Sequence, residues 1–206
     1  MWLRALENHQ LPGREKSAQM PAMSELVIDG HRIGVLFSAT EIADRVKVIA
    51  AEIAARNPTN LLVVPVLKGS FIFAADLIRA MHHAGLSPEV DFMILSSYRK
   101  STKSSGQVNV LRDIETDVKG RDVLLIDDIL ESGRTLAFAK DLLAARGAKE
   151  TYTAVLLHKP GHLAAHISAD FVGFKCPDKF VVGYGMDMAH QFRELPFVGH
   201  VISPRN

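Results

Sequence analysis

Apolar positions along the chain follow two rhythms. From Ser38 to Arg56 they recur at Ile42, Val46, Ile49 and Ile53, which is one face of a helix. Ser38 or Thr40 can cap that helix, and Asn57-Pro58 ends it. Shorter runs have strand length: Leu61–Leu67, Val90–Ser97, Val123–Ile126 and Thr151–Leu157, with briefer candidates at Phe171–Phe174 and Lys179–Gly183. Between them the helical rhythm returns over Phe71–His83 and Thr135–Arg146, the second closed by Gly147. Ahead of all these, Leu26–Ile28 and Arg32–Leu36 flank an Asp29-Gly30 pair, a hairpin signal. Strands without polar alternation, separated by amphipathic helices, predict an α/β fold with a mainly parallel sheet covered on both faces. Tyr98 to Asp117 is polar with little periodicity and predicts a loop. No repeat or linker divides the chain, so residues 23–206 read as one domain. Residues 1–22, with Pro12 and Gly13, read as a disordered tail. Met20 and Met23, just ahead of the patterned part, are alternative translation starts.

Composition narrows this picture little, but charge and cysteine usage exclude some classes. Of 206 residues, 48% are hydrophobic and 23% charged, ordinary for a soluble globular protein. With 24 basic and 23 acidic residues the net charge is +1, which argues against a surface built to bind nucleic acid or membrane. Cys176 is the single cysteine, so no internal disulfide forms, as suits a reducing cytoplasm. No apolar run approaches the roughly 18–20 residues that cross a bilayer. The N-terminus lacks the apolar core of a secretory signal. These readings predict a soluble, cytoplasmic protein.

In a parallel sheet, ligands gather beyond the carboxyl ends of the strands, and the informative residues stand there. Val123–Leu143 reads VLLIDDILESGRTLAFAKDLL: an apolar strand, then Asp127-Asp128, then a small-residue turn, then a helix. Such a turn points several backbone N–H groups at one spot, and with the helix dipole it can hold a phosphate. Ser132 and Thr135 add hydroxyl donors, and paired carboxylates suit the cis-diol of a ribose. A solvated acidic turn with a capped helix explains the same residues, and spacing alone leaves the two readings level. Lys68-Gly69 follows another buried strand. On its own a solvated strand-end lysine is the simpler account of it. His158, His162 and His166 are spaced by four, but Pro160 and Gly161 break the helix a metal site would need, and no HExxH pattern is present.

The segment from Val123 resembles the ribose-5-phosphate motif of type I phosphoribosyltransferases. PVLKGSFIFAADLIR resembles the diphosphate loop of the hypoxanthine (and hypoxanthine-guanine) branch of that family, and SSYRKSTKSSG resembles its mobile loop. KFVVGYGMD and FREL resemble its base-recognition and C-terminal segments, and the likeness runs from about Ser24 to the end. The resemblance implies the type I fold with a small base-recognition hood. It implies purine salvage: transfer of the phosphoribosyl group from 5-phosphoribosyl diphosphate to N9 of hypoxanthine, giving inosine monophosphate and diphosphate with magnesium as cofactor. A homodimer or homotetramer is implied as well.

The same resemblance distributes roles. Asp127 and Asp128 would meet the ribose hydroxyls, while Ser132, Gly133, Arg134 and Thr135 would hold the 5-phosphate. Lys68, Gly69 and Arg193 would face the diphosphate, and the peptide before Lys68 can be cis in the family. Ser97 and Tyr98 would stand at the base of a lid that keeps water from an oxocarbenium-like centre. Lys159 would donate to O6 of the base, which favours 6-oxopurines and opposes adenine. Phe180 would stack on the purine and the Val181 backbone would read its edge. Asp187, with Asp127 and Asp128, would meet magnesium. Glu131 would take the proton from purine N7. The family usually has aspartate there, and the extra methylene bears on that role, since a shift near 1 Å affects catalysis. Guanine or xanthine as preferred base, a nucleic-acid-binding regulator on the same fold, and a silent homologue marked by Glu131 are the alternatives. The regulator is opposed by the near-zero charge and by the lack of a preceding helix-turn-helix.

Overall fold

The structure, a computed structural model, describes residues 25–97 and 108–203. The expected tail, both alternative starts and Tyr98 lie outside them. In chain order the elements are β1 (Glu25–Ile28), β2 (His31–Phe37), α1 (Ala39–Ala54), β3 (Leu62–Leu67), α2 (Phe71–His83), β4 (Glu89–Val90), β5 (Met93–Ser97) and β6 (Val108–Arg112). They continue with β7 (Asp122–Leu130), α3 (Arg134–Ala145), β8 (Glu150–His158), β9 (Phe171–Lys175), β10 (Val181–Val182) and β11 (Val198–Ser203). No helix among the described residues is long and apolar enough to cross a membrane.

The larger sheet has seven strands, ordered β6-β5-β3-β7-β8-β9 with β4 also on β3. All its pairings are parallel except β5 with β6. A second, four-stranded antiparallel sheet runs β1-β2-β11-β10, so it joins the first hairpin to the last strand. This is the expected α/β fold with its small hood.

The strands sort the helices between the two faces by their period of two. Val63, Leu124, Ile126, Ala154 and Leu156 pack with Ile42, Val46, Ile49 and Ile53 of α1 and with Phe73, Leu77 and Met81 of α2. Their neighbours Leu62, Val64, Val66, Val123, Leu125 and Val155 point the other way, onto Leu136, Ala139 and Leu143 of α3. Both faces are therefore buried, which is why these strands show no polar alternation. A third cluster, Ile33, Val182 and Phe192, forms the core of the small sheet.

Helix α1 starts where the capping signal places it. Ser38 Oγ accepts from Glu41 N at 3.3 Å, and Ser38 N donates to Glu41 Oε2 at 2.8 Å, a complete capping box. Hydrogen bonds from the Ser38 side chain and backbone hold the Glu41 carboxyl below its usual range. We expect Ser38→Ala to destabilise the protein by about 1 kcal/mol, a drop of roughly 2–4 °C in Tm. A carboxyl held low contributes stability above its unfolded pKa and loses it as pH falls. The variant's deficit in thermal unfolding should therefore shrink toward acid pH.

The structure corrects the expected elements at four places. Val90–Ser97 is two strands, because Asp91 turns its carboxylate to the backbone N–H groups of Glu115 and Thr116, at 2.8 and 2.9 Å. Within the expected loop after Tyr98, Val108–Arg112 is an edge strand. Its Leu111 is 67% exposed, so no buried face marks it. Strand β7 runs on through Leu130, because its ladder with β8 continues to Leu130↔His158. Asp127 and Asp128 thus lie within the strand rather than after it, and α3 begins at Arg134. Lys179–Gly183 contributes only Val181–Val182, and it joins the small sheet, where β11 was not foreseen.

Candidate active site

Strand β3 is buried to Val66 and then opens at the Leu67–Lys68 peptide, which is cis. Ser70, buried just beyond, donates its hydroxyl to the Val66 carbonyl at 2.6 Å and closes the turn. The turn brings Gly69 against the neighbouring strand. A Cβ built on Gly69 would stand 1.8 Å from Asp128 Oδ2, so only glycine lets these two segments approach with the carboxylate in place. Lys68 is exposed.

Asp127 and Asp128 are adjacent and poorly hydrated. Burial and the neighbouring Asp128 charge push the Asp127 carboxyl well above its usual range. Burial also raises Asp128, opposed by hydrogen bonds from Asp127 and backbone N–H groups and by the positive charge of Arg193. Asp127 Oδ1 accepts from Asp128 N and Asp128 Oδ1 from Ile129 N, both at 2.9 Å. The pair is thus held in orientation by backbone N–H groups. Past Leu130 the chain turns through Glu131 and Ser132 to Gly133, which caps α3 in the left-handed region at φ 74°. A side chain there would also strike Ile167, whose Cγ2 lies 2.6 Å from the Cβ position. Arg134 begins α3, its N–H 3.5 Å from Ser132 Oγ, and Thr135 follows in the first turn. Residues 131–135 thus form the expected helix-N-terminal turn. Its far side is braced by Ala164 and Ala165, which donate to the Ser132 carbonyl at 2.9 and 3.2 Å.

Lys68, Gly69, Asp127, Asp128, Ser132 and Thr135 line one cavity of about 240 Å³, and Glu131 and Gly133 line it too. A groove of about 690 Å³ between α1 and α2 is larger, but its Lys47 and Arg79 are taken up in surface pairs with Asp44 and Asp76. The smaller cavity has the convergent polar groups.

Lys159, only 6% exposed, follows β8 and places Nζ 3.9 Å from Glu131 Oε1. The charges of Lys159, Glu131, Asp178 and Lys179 all act on the buried thiol of Cys176, so the segment of Asp178 and Lys179 lies close to this pair. Phe180 presents a ring 56% exposed, while Val181 is buried in β10. Asp187 is tied to Arg193, its Oδ1 2.7 Å from Nη2, and its Oδ2 accepts from His190 N at 2.8 Å. The described residues contain no group of three or more His, Cys, Asp or Glu side chains placed to hold a metal ion. Asp187 and the Asp127–Asp128 pair therefore do not make one cage. Ser97 closes β5, and Tyr98 lies outside the described residues. Of the three histidines, His162 pairs with Asp178 at 3.0 Å, while His158 Nε2 is buried without a partner.

A family model described as the phosphoribosyl transferase domain matches residues 36–189. The chain belongs to the phosphoribosyltransferase family. It is 47% identical over 171 residues to the hypoxanthine-guanine phosphoribosyltransferase of Bacillus subtilis (strain 168), covering 82% of this chain and 93% of that protein. It is 38% identical over 175 residues to the hypoxanthine phosphoribosyltransferase of Escherichia coli (strain K12), covering 84% and 97%. A crystal structure of a hypoxanthine-guanine phosphoribosyltransferase from Bacillus anthracis superposes with a TM-score of 0.76 at 39% identity, covering 82% of this chain and 98% of that one.

One tie in this phosphoribosyltransferase has no signal in the sequence. Tyr184 donates its hydroxyl to Asp76 Oδ2 at 2.5 Å across 108 positions, fastening the segment before Asp187 to α2. Burial and that acceptor hold the Tyr184 hydroxyl far above its usual range, so it stays a donor.

Proposed function

We propose that the chain transfers the 5-phosphoribosyl group of 5-phosphoribosyl diphosphate to N9 of hypoxanthine, as a cytoplasmic purine-salvage enzyme working as a homodimer or homotetramer. The observation that carries this is the single cavity in which the Asp127–Asp128 pair, the 131–135 turn and the Lys68-Gly69 turn converge. Backbone N–H groups of the 131–135 turn, with the Ser132 and Thr135 hydroxyls, hold the 5-phosphate at the N-terminus of α3. Asp127 and Asp128 accept from the ribose hydroxyls. Lys68, the Gly69 turn and Arg193 hold the diphosphate. Lys159 donates to O6 of the base, Phe180 stacks on it, and the Val181 backbone reads its edge.

The N9–C1′ bond forms as the C1′–oxygen bond to diphosphate breaks, and Glu131 takes the proton from N7. Asp127, Asp128 and Asp187 would hold a magnesium ion, which would supply neutralising charge for the departing diphosphate. The residues fit such an ion in part: Asp127, Asp128 and Asp187 offer hard oxygen donors but no closed cage, as suits a cation that arrives on a diphosphate.

Guanine is the second base to consider, because Lys159 meets O6 in either purine. The test offers hypoxanthine, guanine, xanthine and adenine separately with 5-phosphoribosyl diphosphate and magnesium. Inosine monophosphate should form readily and the adenine product at least about 100-fold more slowly. Equal rates with adenine would sink the Lys159 assignment, and no product with any base would sink the proposed reaction.

A further inference from the structure

Behind the base edge, the small sheet carries a polar chain that its apolar core does not require. His200 in β11 stands opposite Val181 on one side and Gly34 on the other. It is 6% exposed. Its Nδ1 lies 3.0 Å from the Gly34 carbonyl, which can only accept, so that nitrogen carries a proton. Its Nε2 lies 3.0 Å from Lys179 Nζ, and an ammonium can only donate, so that nitrogen carries none. Both ring nitrogens are satisfied, and only the neutral imidazole satisfies them this way. The space comes from Gly34, where a Cβ would stand 2.5 Å from His200 Cε1. On the other side the chain reaches the base contacts at once. Lys179 directly precedes Phe180, whose carbonyl accepts from Val201 N at 3.1 Å.

We infer that His200 and Lys179 are positioning residues for the purine, holding the Phe180–Val181 edge from behind and releasing it when His200 is protonated. The inference rests on the proposed role of Phe180 and Val181 as base contacts. A second proton on His200 turns Nε2 into a donor facing the Lys179 ammonium, which then swings into solvent. Burial, followed by the charge of Lys179, pushes the His200 pKa down, opposed by the Gly34 carbonyl and by Glu25 in β1, itself paired with Arg32. A histidine held low in the fold keeps its arrangement fully above its ordinary pKa. It loses that arrangement only as pH falls through the lowered value, below the ordinary histidine range.

Two measurements on the whole chain test this: the NMR titration of the His200 ring, and KM for hypoxanthine and for 5-phosphoribosyl diphosphate from about pH 8 to about 5.5. The KM for hypoxanthine should rise about fivefold toward acid pH, the size of one net hydrogen bond, without a matching rise for the diphosphate or a matching fall in kcat. His200→Asn keeps a donor for Gly34 but does not titrate, and its hypoxanthine KM should be flatter with pH than that of the parent. Lys179→Met, a change at the surface, should bring the His200 titration up toward the ordinary value. An unmoved His200 titration in Lys179→Met overturns the pairing. Identical KM profiles in the parent and His200→Asn overturn the positioning role while transfer itself stands. Should the parent transfer to no base, the reading of Phe180 and Val181 fails and takes the positioning role with it, whatever the titration shows.

Discussion

Gly69→Ala is expected to lower kcat/KM for phosphoribosyl transfer about 100-fold while leaving the fold intact. The added methyl would stand 1.8 Å from Asp128 Oδ2 and 2.6 Å from its Cγ, so the carboxylate must move. It is the free end of a side chain, and no backbone atom is struck, so the sheet can absorb the change. What cannot survive is the orientation fixed by the hydrogen bond from Ile129 N to Asp128 Oδ1. The ribose would then meet one aligned carboxylate instead of two, with the diphosphate turn displaced as well. Steady-state kinetics beside thermal unfolding would decide it: an active variant, or an inactive one with a collapsed Tm, would refute the steric account.

The second large effect belongs to Glu131. Glu131→Gln keeps the length and shape of the side chain but removes the proton acceptor, and kcat is expected to fall by about 10²–10⁴. The KM for 5-phosphoribosyl diphosphate should change little if Glu131 acts on the base, since its carboxylate is directed toward Lys159. Glu131→Asp asks a different question. If the carboxylate reaches N7 only with its extra methylene, the aspartate variant loses rate. If the backbone tolerates either reach, it matches the parent. A glutamine variant of unchanged kcat would remove Glu131 from the chemistry.

Much of this arrangement was legible in the sequence, for identifiable reasons. Helix α2 occupies Phe71–His83 as predicted, and β3 starts one residue inside its prediction, because both are defined by burial that each residue declares for itself. The turn from Glu131 to Thr135 was legible because small residues at a helix start have a local cause. What stayed hidden depends on distant partners. Strand β6 is almost wholly exposed and is placed by its pairing with β5. Strand β11 contains Gly199 and is irregular in register against β2, so its pattern is broken although its pairing is firm. Asp76 and Tyr184, or His200 and Lys179, declare nothing until the fold brings them together. Nor could the sequence tell whether the acids would stand after the strand or inside it, since that is decided by how far β8 continues alongside.

The order of the strands also bears on how this protein comes to life on the ribosome. The large sheet is complete once Lys175 has emerged, but α1 and α2 still await Val181, Tyr184, Met186 and Val198, which complete their core cluster. The small sheet cannot close until β11 arrives to sit between β2 and β10. A growing chain therefore lays down the strand that carries Asp127 and Asp128 before the sheet that carries Val181. A chain cut before Val198 by a protease or a premature stop would lose both the closing strand of the small sheet and a buried residue of the main core. Val198 is fully buried there, so such a fragment should unfold more readily than the whole chain.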